Sequence, residues 1–279
     1  MCLVPRQAGG EEQGVPMLNM VRATTSLFVM KRNQKKRMRN RGESLDSFTS
    51  LHHLAEALGN AVDARDSQLY RHSRDVAEVS CVLAHAMGFS REEIDVIHIA
   101  GHLHDIGKIG IPDVVLKKKG PLDADEWRWM RLHPGIGAEI VRPVPALNGP
   151  GGVADIILRH HERFDGKGYP DGLGDDQIPR GARIVAVADT LSALLRNRSY
   201  RAGCSFDLAC AEIRRCSGSQ FDPVVVKVLE KNRKKVAGCL DAAEELAVSA
   251  CSPYEPPSHG LFVPGEMLLQ ESASLPHVL

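Results

Sequence analysis

His102-Leu103-His104-Asp105-Ile106-Gly107-Lys108 places an imidazole, a carboxylate and an ammonium at one point of the backbone, with His104 beside Asp105 and Lys108 three residues on. A metal ion calls for the first two groups, and a phosphate ester would be held by the third. Such a pair arises by chance in many chains, so its meaning depends on what the rest of the sequence supplies. The stretch closes a segment in which Ile94, Ile97, Ala100, Gly101 and Leu103 recur at helical spacing. Ser90 and Glu93 form a capping-box pattern at its start. Gly107, Gly110 and Pro112 then predict a loop. A polar pair at a helix-to-loop junction is well placed to face a cleft.

Helical spacing continues on both sides. Upstream, Asp46 or Ser47 caps a helix carrying Phe48, Leu51, Leu54, Ala55, Leu58 and Val62. A second helix is expected from Ser67 to Met87, with Val76, Val79, Val82, Leu83 and Ala86 inward and Gly88 as its stop signal. His72 lies one turn before Val76 and therefore faces inward. Downstream, Asp123 and Glu126 open a short helix that should stop near His133, because Pro134 disfavours the helical conformation of the residue before it. Further helices are expected over Gly135 to Val141, Ala154 to His161, Ala182 to Leu195, Ser205 to Cys216 and Pro223 to Lys231, the last capped by Asp222. No alternating pattern is long enough for a sheet, so the core is expected to be all-α. Asp189 sits in the middle of the most apolar of these helices, where a carboxylate costs several kcal/mol unless it is paired, hydrogen-bonded or bound to metal.

With 279 residues and a formal net charge of zero, the chain has room for one good-sized domain and no general attraction to a nucleic-acid polymer or an anionic membrane. The seven cysteines are odd in number and form no Cys-x-x-Cys pair, which reads as reduced thiols in a cytoplasmic protein. No apolar run approaches the ~18 residues of a membrane helix. The mildly apolar stretch from Val15 to Met30 precedes its positive charges, the wrong order for a signal peptide. Residues 1–44 are read as a poorly ordered arm, too short for a sensory or receiver domain. Residues 45–235 form the helical domain, and 236–279 a tail with one weak helix over Cys239 to Val248.

Seven residues collect as metal-ligand candidates: His72, His104, Asp105, His133, His160, His161 and Asp189. They fall on five or more helices and junctions, as a bundle gathers ligands round a central cavity. Five imidazoles and two carboxylates exceed one tetrahedral zinc and suit two ions sharing a carboxylate. Mixed nitrogen and oxygen donors favour iron or manganese, with zinc, cobalt and nickel as further options. Two ions ~3.5–4 Å apart activate water and neutralise a phosphodiester in line. His52, His53, His85, His98, His259 and His277 are read as surface or satisfied core residues. His98 and His102 share the i, i+4 spacing of a ligand pair, but His98 is expected to face outward.

At this point the sequence resembles the HD-GYP domain, a branch of the HD superfamily of metal-dependent phosphohydrolases. The resemblance covers roughly Leu45 to Lys231. It rests on His104-Asp105-Ile106-Gly107-Lys108, on His133-Pro134-x-x-Gly137, on His160-His161-Glu162-Arg163-Phe164-Asp165-Gly166-Lys167-Gly168-Tyr169-Pro170, and on Ala188-Asp189, Tyr200-Arg201 and Gln220-Phe221-Asp222-Pro223. It implies a helical bundle around a binuclear or trinuclear metal centre and hydrolysis of cyclic di-GMP to pGpG and further to GMP. The seven candidates would be the ligands, with Asp105 bridging. Lys108 would bind the scissile phosphate and help the leaving oxygen. Gly168 and Tyr169 would shape the pocket, in a loop linked with recognition of diguanylate cyclase domains. Arg198 and Arg201 would hold phosphates or guanine.

The match has departures. Gln68 stands where members with a third metal carry a glutamate, which favours two metals here. Ser192 replaces a second acidic residue after Asp189, and Leu195, Asn197 and Ser199 replace Thr, an acidic residue and Pro. Two rival readings stay open: a non-catalytic module that senses cyclic di-GMP or docks a cyclase, and an HD hydrolase of another cyclic dinucleotide.

Overall fold

The computed structural model describes residues 49–65, 71–196 and 203–250, with 242–250 described by backbone alone. The expectations for the N-terminal arm, Gln68, Asn197, Arg198, Ser199, Arg201, His259 and His277 lie outside the described residues. A first helix, α1, spans 49–65. It is followed by α2 (His72–Ala86), α3 (Arg91–Leu103), α4 (Asp113–Leu116), α5 (Ala124–Met130), α6 (His133–Val141), α7 (Val153–Arg159), α8 (Arg180–Leu195), α9 (Phe206–Arg215), α10 (Pro223–Lys231) and α11 (Arg233–Ala250). A first compact unit runs to Leu240. A second begins at Asp241, and its described part is the end of α11.

The capping signals act as read. The Ser90 hydroxyl accepts from the Glu93 amide while the Glu93 carboxylate accepts from the Ser90 amide, so two of the orphan donors at the start of α3 are satisfied. Asp123 and Glu126 repeat the device for α5. Buried Ile97, Ile99, Ala100 and Leu103 then dock α3 on α2, whose Val76, Val79 and Leu83 are fully buried. The helix α8 is central: Ile184, Val185, Val187, Ala188 and Leu191 are all inaccessible, and α8 packs against α2, α3, α7 and α9. Its apolar residues occupy more than one face, as befits a helix surrounded by others.

Several boundaries differ from the sequence reading. Helix α2 starts at His72 rather than Ser67, with Arg71 before it in the left-handed region at φ 67°, and α7 ends at Arg159 rather than His161. The segment expected to be a plain loop after Asp105 is a 3-10 helix over Ile106–Gly110. Helix α6 starts at His133 rather than Gly135, because Pro134 falls in its first turn, where the missing amide has no partner to lose. Helix α11 starts at Arg233 and is continuous through the stretch read as weakly helical. Among the described residues there is no strand, only the isolated bridges Asp165 to Gly174 and Ser217 to Phe221. No helix of the described residues is long and apolar enough to cross a membrane.

Helix α1 fastens the turn that carries Lys108. Its Asp63 accepts from the Ser73 amide at 2.9 Å and the Ser73 hydroxyl at 2.8 Å. Arg65 donates to the carbonyls of Lys108 and Ile111 at 2.7 and 2.8 Å and to Asp113 at 2.7 Å. The turn is also pressed onto α6. A Cβ on Gly107 would stand 1.9 Å from the His133 carbonyl oxygen and 2.5 Å from the Gly137 nitrogen. Both obstacles are backbone and cannot swing away. Gly107→Ala is therefore expected to destabilise the domain at the upper end of the ~1–3 kcal/mol typical of overpacking, read as a lower urea midpoint with an unchanged slope.

Candidate metal centre

Helix ends deliver most of the polar side chains of this centre. His72 opens α2, His104 caps the end of α3 with Asp105 next to it, His133 opens α6, and His160 caps the end of α7 with His161 beside it. Asp189 projects from the middle of α8. The first-turn and last-turn positions explain how the rings are held. In His104, His133 and His160 alike, Nδ1 lies 2.7 to 2.8 Å from the carbonyl three residues earlier, that of Gly101, Met130 and Ile157. With Nδ1–H donating to that carbonyl, Nε2 presents its lone pair inward, the arrangement that fixes the tautomer of a metal-binding histidine. His72 is held differently, by Nδ1 against the Ser192 hydroxyl at 2.9 Å.

The seven residues converge in two sets. Asp105, His133, His160 and His161 each offer a donor atom within 4.8 Å of the others, and so do His72, His104 and Asp189. The two oxygens of Asp105 divide between them. Oδ1 lies 3.2 Å from His133 Nε2. Oδ2 lies 3.3 Å from His104 Nε2 and 3.9 Å from His72 Nε2. Asp189 Oδ1 completes the second set at 3.1 Å from His72 Nε2 and 3.9 Å from His104 Nε2. One carboxylate thus faces two donor groups at once.

The electrostatics match a cation site. Burial raises the cost of ionising Asp105, yet Lys108 and His104 hold its carboxyl well below the usual range, and His72 and His104 do the same for Asp189 against burial. Burial opposes a charge on His104, but the Asp105 and Asp189 carboxylates push it up to about 9. Burial pulls His133 down to about 3 and lowers His160 and His161 as well, helped by neighbouring imidazoles. These three rings favour the neutral, lone-pair form, while the two carboxylates favour a proton on His104, where positive charge is wanted. A metal ion would displace that proton. His104 Nε2 is buried without a hydrogen-bond partner of its own, as a side chain that fits an ion should be. The clustered imidazoles and carboxylates can hold divalent metal.

A cavity of about 620 Å³ opens onto His72, Asp105, Lys108, His133, His161 and Asp189, within the ~300–1,000 Å³ of small-molecule sites. Lys108 stands at its edge with Nζ 2.6 Å from Asp105 Oδ2. Tyr169 lines it with its ring stacked on His161 at 4.9 Å and with Arg131 over the ring at 5.5 Å. Gly168 lets that loop fold back on itself, because a Cβ there would meet the Arg163 nitrogen at 2.3 Å. Arg198 and Arg201 lie outside the described residues.

Sequence reasoning missed the opposite wall, which Val115, Leu116, Leu122, Trp127 and Met130 build. Apolar residues in short helices carry no chemical signal of a pocket. It also missed the role of Ser192. Besides meeting His72, its hydroxyl accepts from Arg196 Nε at 3.3 Å, and Arg196 pairs in turn with Asp75. The departure from an acidic residue is thereby absorbed into the support of His72.

Comparison with known proteins agrees with this geometry. Residues 56–225 match the HD domain family. The chain belongs to the HD-domain family. It is 38% identical over 232 residues to the cyclic di-GMP phosphodiesterase response regulator RpfG of Xanthomonas campestris pv. campestris, covering 77% of this chain and 59% of that one. It is 38% identical to a cyclic di-GMP phosphodiesterase of Thermotoga maritima, covering 67% and 50%, and 40% identical to the 3'3'-cGAMP-specific phosphodiesterase 2 of Vibrio cholerae, covering 62% and 33%. This HD-domain chain thus spans between a third and three-fifths of the length of these relatives. The crystal structure of the Vibrio cholerae cyclic GMP-AMP phosphodiesterase V-cGAP3 superposes with a TM-score of 0.53 at 21% identity, over 66% of this chain and 49% of that one, and shows the shared fold.

Removing the Ser192 hydroxyl leaves the His72 ring unsupported at Nδ1. Ser192→Ala is expected to weaken divalent-cation binding by ~10–100-fold, the usual cost of losing such a partner, in a Mn2+ titration, with the helical circular dichroism spectrum unchanged.

Proposed function

We propose that this HD domain is a metal-dependent phosphodiesterase that opens cyclic di-GMP to pGpG and further to GMP. The observation that carries the reading is the division of the Asp105 oxygens between two buried donor sets. In this reading His133, His160 and His161 would hold one divalent ion and His72, His104 and Asp189 the other, with Asp105 available to both. Iron or manganese suits the mixed donors best. When bound, the pair supplies Lewis acidity at the phosphodiester and water made acidic enough to attack it near neutral pH.

The chain's own residues do the rest. Lys108, fastened through its carbonyl to Arg65, presents its ammonium where negative charge grows on the phosphoryl oxygens and stabilises it without reorganisation. The same ammonium stands near enough to the centre to meet the oxygen of the leaving nucleoside. Tyr169 buttresses the His161 ring and keeps its phenol protonated, since burial raises its pKa. The apolar wall of Val115, Leu116 and Met130 excludes water, which strengthens these interactions. Arg198 and Arg201 enter on sequence alone, as forked donors for the second phosphate or a guanine edge. Docking of a diguanylate cyclase domain on the Gly166 to Pro170 loop belongs to the same reading.

The relationship to the 3'3'-cGAMP-specific enzyme of Vibrio cholerae favours one alternative, a cyclic dinucleotide with one adenine. Incubation of the Mn2+-loaded or Fe2+-loaded full chain with cyclic di-GMP and with 3'3'-cGAMP in parallel, followed by product chromatography, separates the two. The expected outcome is linear product from cyclic di-GMP, faster than from the mixed dinucleotide. A protein that binds two metals and the dinucleotide yet leaves it intact is a sensor, and the enzymatic reading then fails.

Two variants test the roles. Asp105→Asn is expected to lower bound metal from two equivalents to one or none in elemental analysis. Lys108→Met is expected to keep both equivalents and to lose ~10²–10³-fold in kcat, the scale of removing one preorganised donor.

A further inference from the structure

A second group of histidines lies apart from the residues used above. His52 on α1 and His98 and His102 on α3 each present a ring nitrogen, and the three nitrogens lie within 4.8 Å of one another. His98 does not face outward as the sequence reading expected. Its side chain is only 18% exposed, because α1 covers that side of α3, and its ring stacks on His52 at 4.6 Å. His102 is 98% buried by its 2% exposure, and its Nδ1 has no hydrogen-bond partner, nor has His98 Nε2. The i, i+4 spacing of His98 and His102 puts two imidazoles on one face of a helix, the spacing by which helices hold zinc.

We infer that His52, His98 and His102 form a second metal site, for a single Zn2+ or a similar imidazole-seeking divalent ion, that ties α1 to α3. Three neutral imidazoles and an open position are a common donor set for zinc. Glu78 on α2, with a carboxylate oxygen 3.7 Å from His98 Nε2, adds a negative charge beside the three rings. The donors come from two helices, so an ion would join segments that are otherwise held here by packing. A Cβ on Gly59 of α1 would stand 2.5 Å from the His102 carbonyl oxygen, so the helices already touch at this point. The consequence is structural. The same α1 clamps the Lys108 turn through Arg65, and the ion would stabilise that attachment by mass action.

The test compares the full chain with its His52→Ala/His98→Ala variant. Both are equilibrated with excess Zn2+, desalted and analysed for zinc per chain by mass spectrometry. The wild type is expected to retain one equivalent more than the variant, and Zn2+ is expected to raise its Tm further. Equal zinc content in the two proteins overturns the site. If the double variant proves unfolded by circular dichroism, His52→Gln decides, since this half-buried position tolerates a polar side chain. Loss of the equivalent there supports the site, and its retention overturns it. The centre at Asp105 is intact in all these proteins, so its own metal content cancels in the comparison.

Discussion

The Asp105 carboxylate is buried at the edge of the cavity, and it is surrounded by His72, His104, His133 and Lys108 within 4 Å. A buried anion of this kind costs several kcal/mol unless positive charge answers it. Almost every feature of the first unit can be seen as serving that balance. Helices α2, α3, α6 and α7 bring their ends, not their middles, to one point, and helix ends are where side chains and backbone carbonyls can work together. The carbonyls of Gly101, Met130 and Ile157 are each used to hold a ring three residues later. Three rings are aligned by one repeated local device, and the fold has only to align the helices.

The fourth ring shows what happens where that device fails. His72 is held instead from across the bundle, by the Ser192 hydroxyl of α8 at 2.9 Å from its Nδ1. This makes Ser192 more than a lost acid. It couples His72 to Arg196 and so to Asp75, a neighbouring pair on α8 and α2. Ser192 therefore supports His72 by a different route from the acidic residue it replaces.

The clustering of histidines in this chain is uneven in meaning. Five of them gather with two carboxylates in two donor sets. Three more gather on the α1 side of α3, where the charge is one glutamate. The contrast is chemical. The first set faces two buried carboxylates, while the second gathers ring nitrogens, two of them without a hydrogen-bond partner.

The sequence by itself determined the helical class and the capping of α3 and α5, and it singled out the seven residues that the fold brings together. These were legible because helix periodicity and capping are local, and because His-Asp, His-His and the glycine-rich loop are short motifs with fixed chemistry. The start of α6 at His133 rather than Gly135 was not, since a proline is forbidden or welcome depending on one position of register. Only the tertiary structure decided that the Asp105 oxygens face different sets, that Ser192 holds His72, that an apolar wall closes the cavity, and that His98 turns inward under α1. Each of these depends on which helices lie side by side, and residues such as 52 and 98 or 72 and 192 are brought together by burial of apolar faces. That burial rewards any matching stripe, so the partners it chooses cannot be read from either strand of sequence alone.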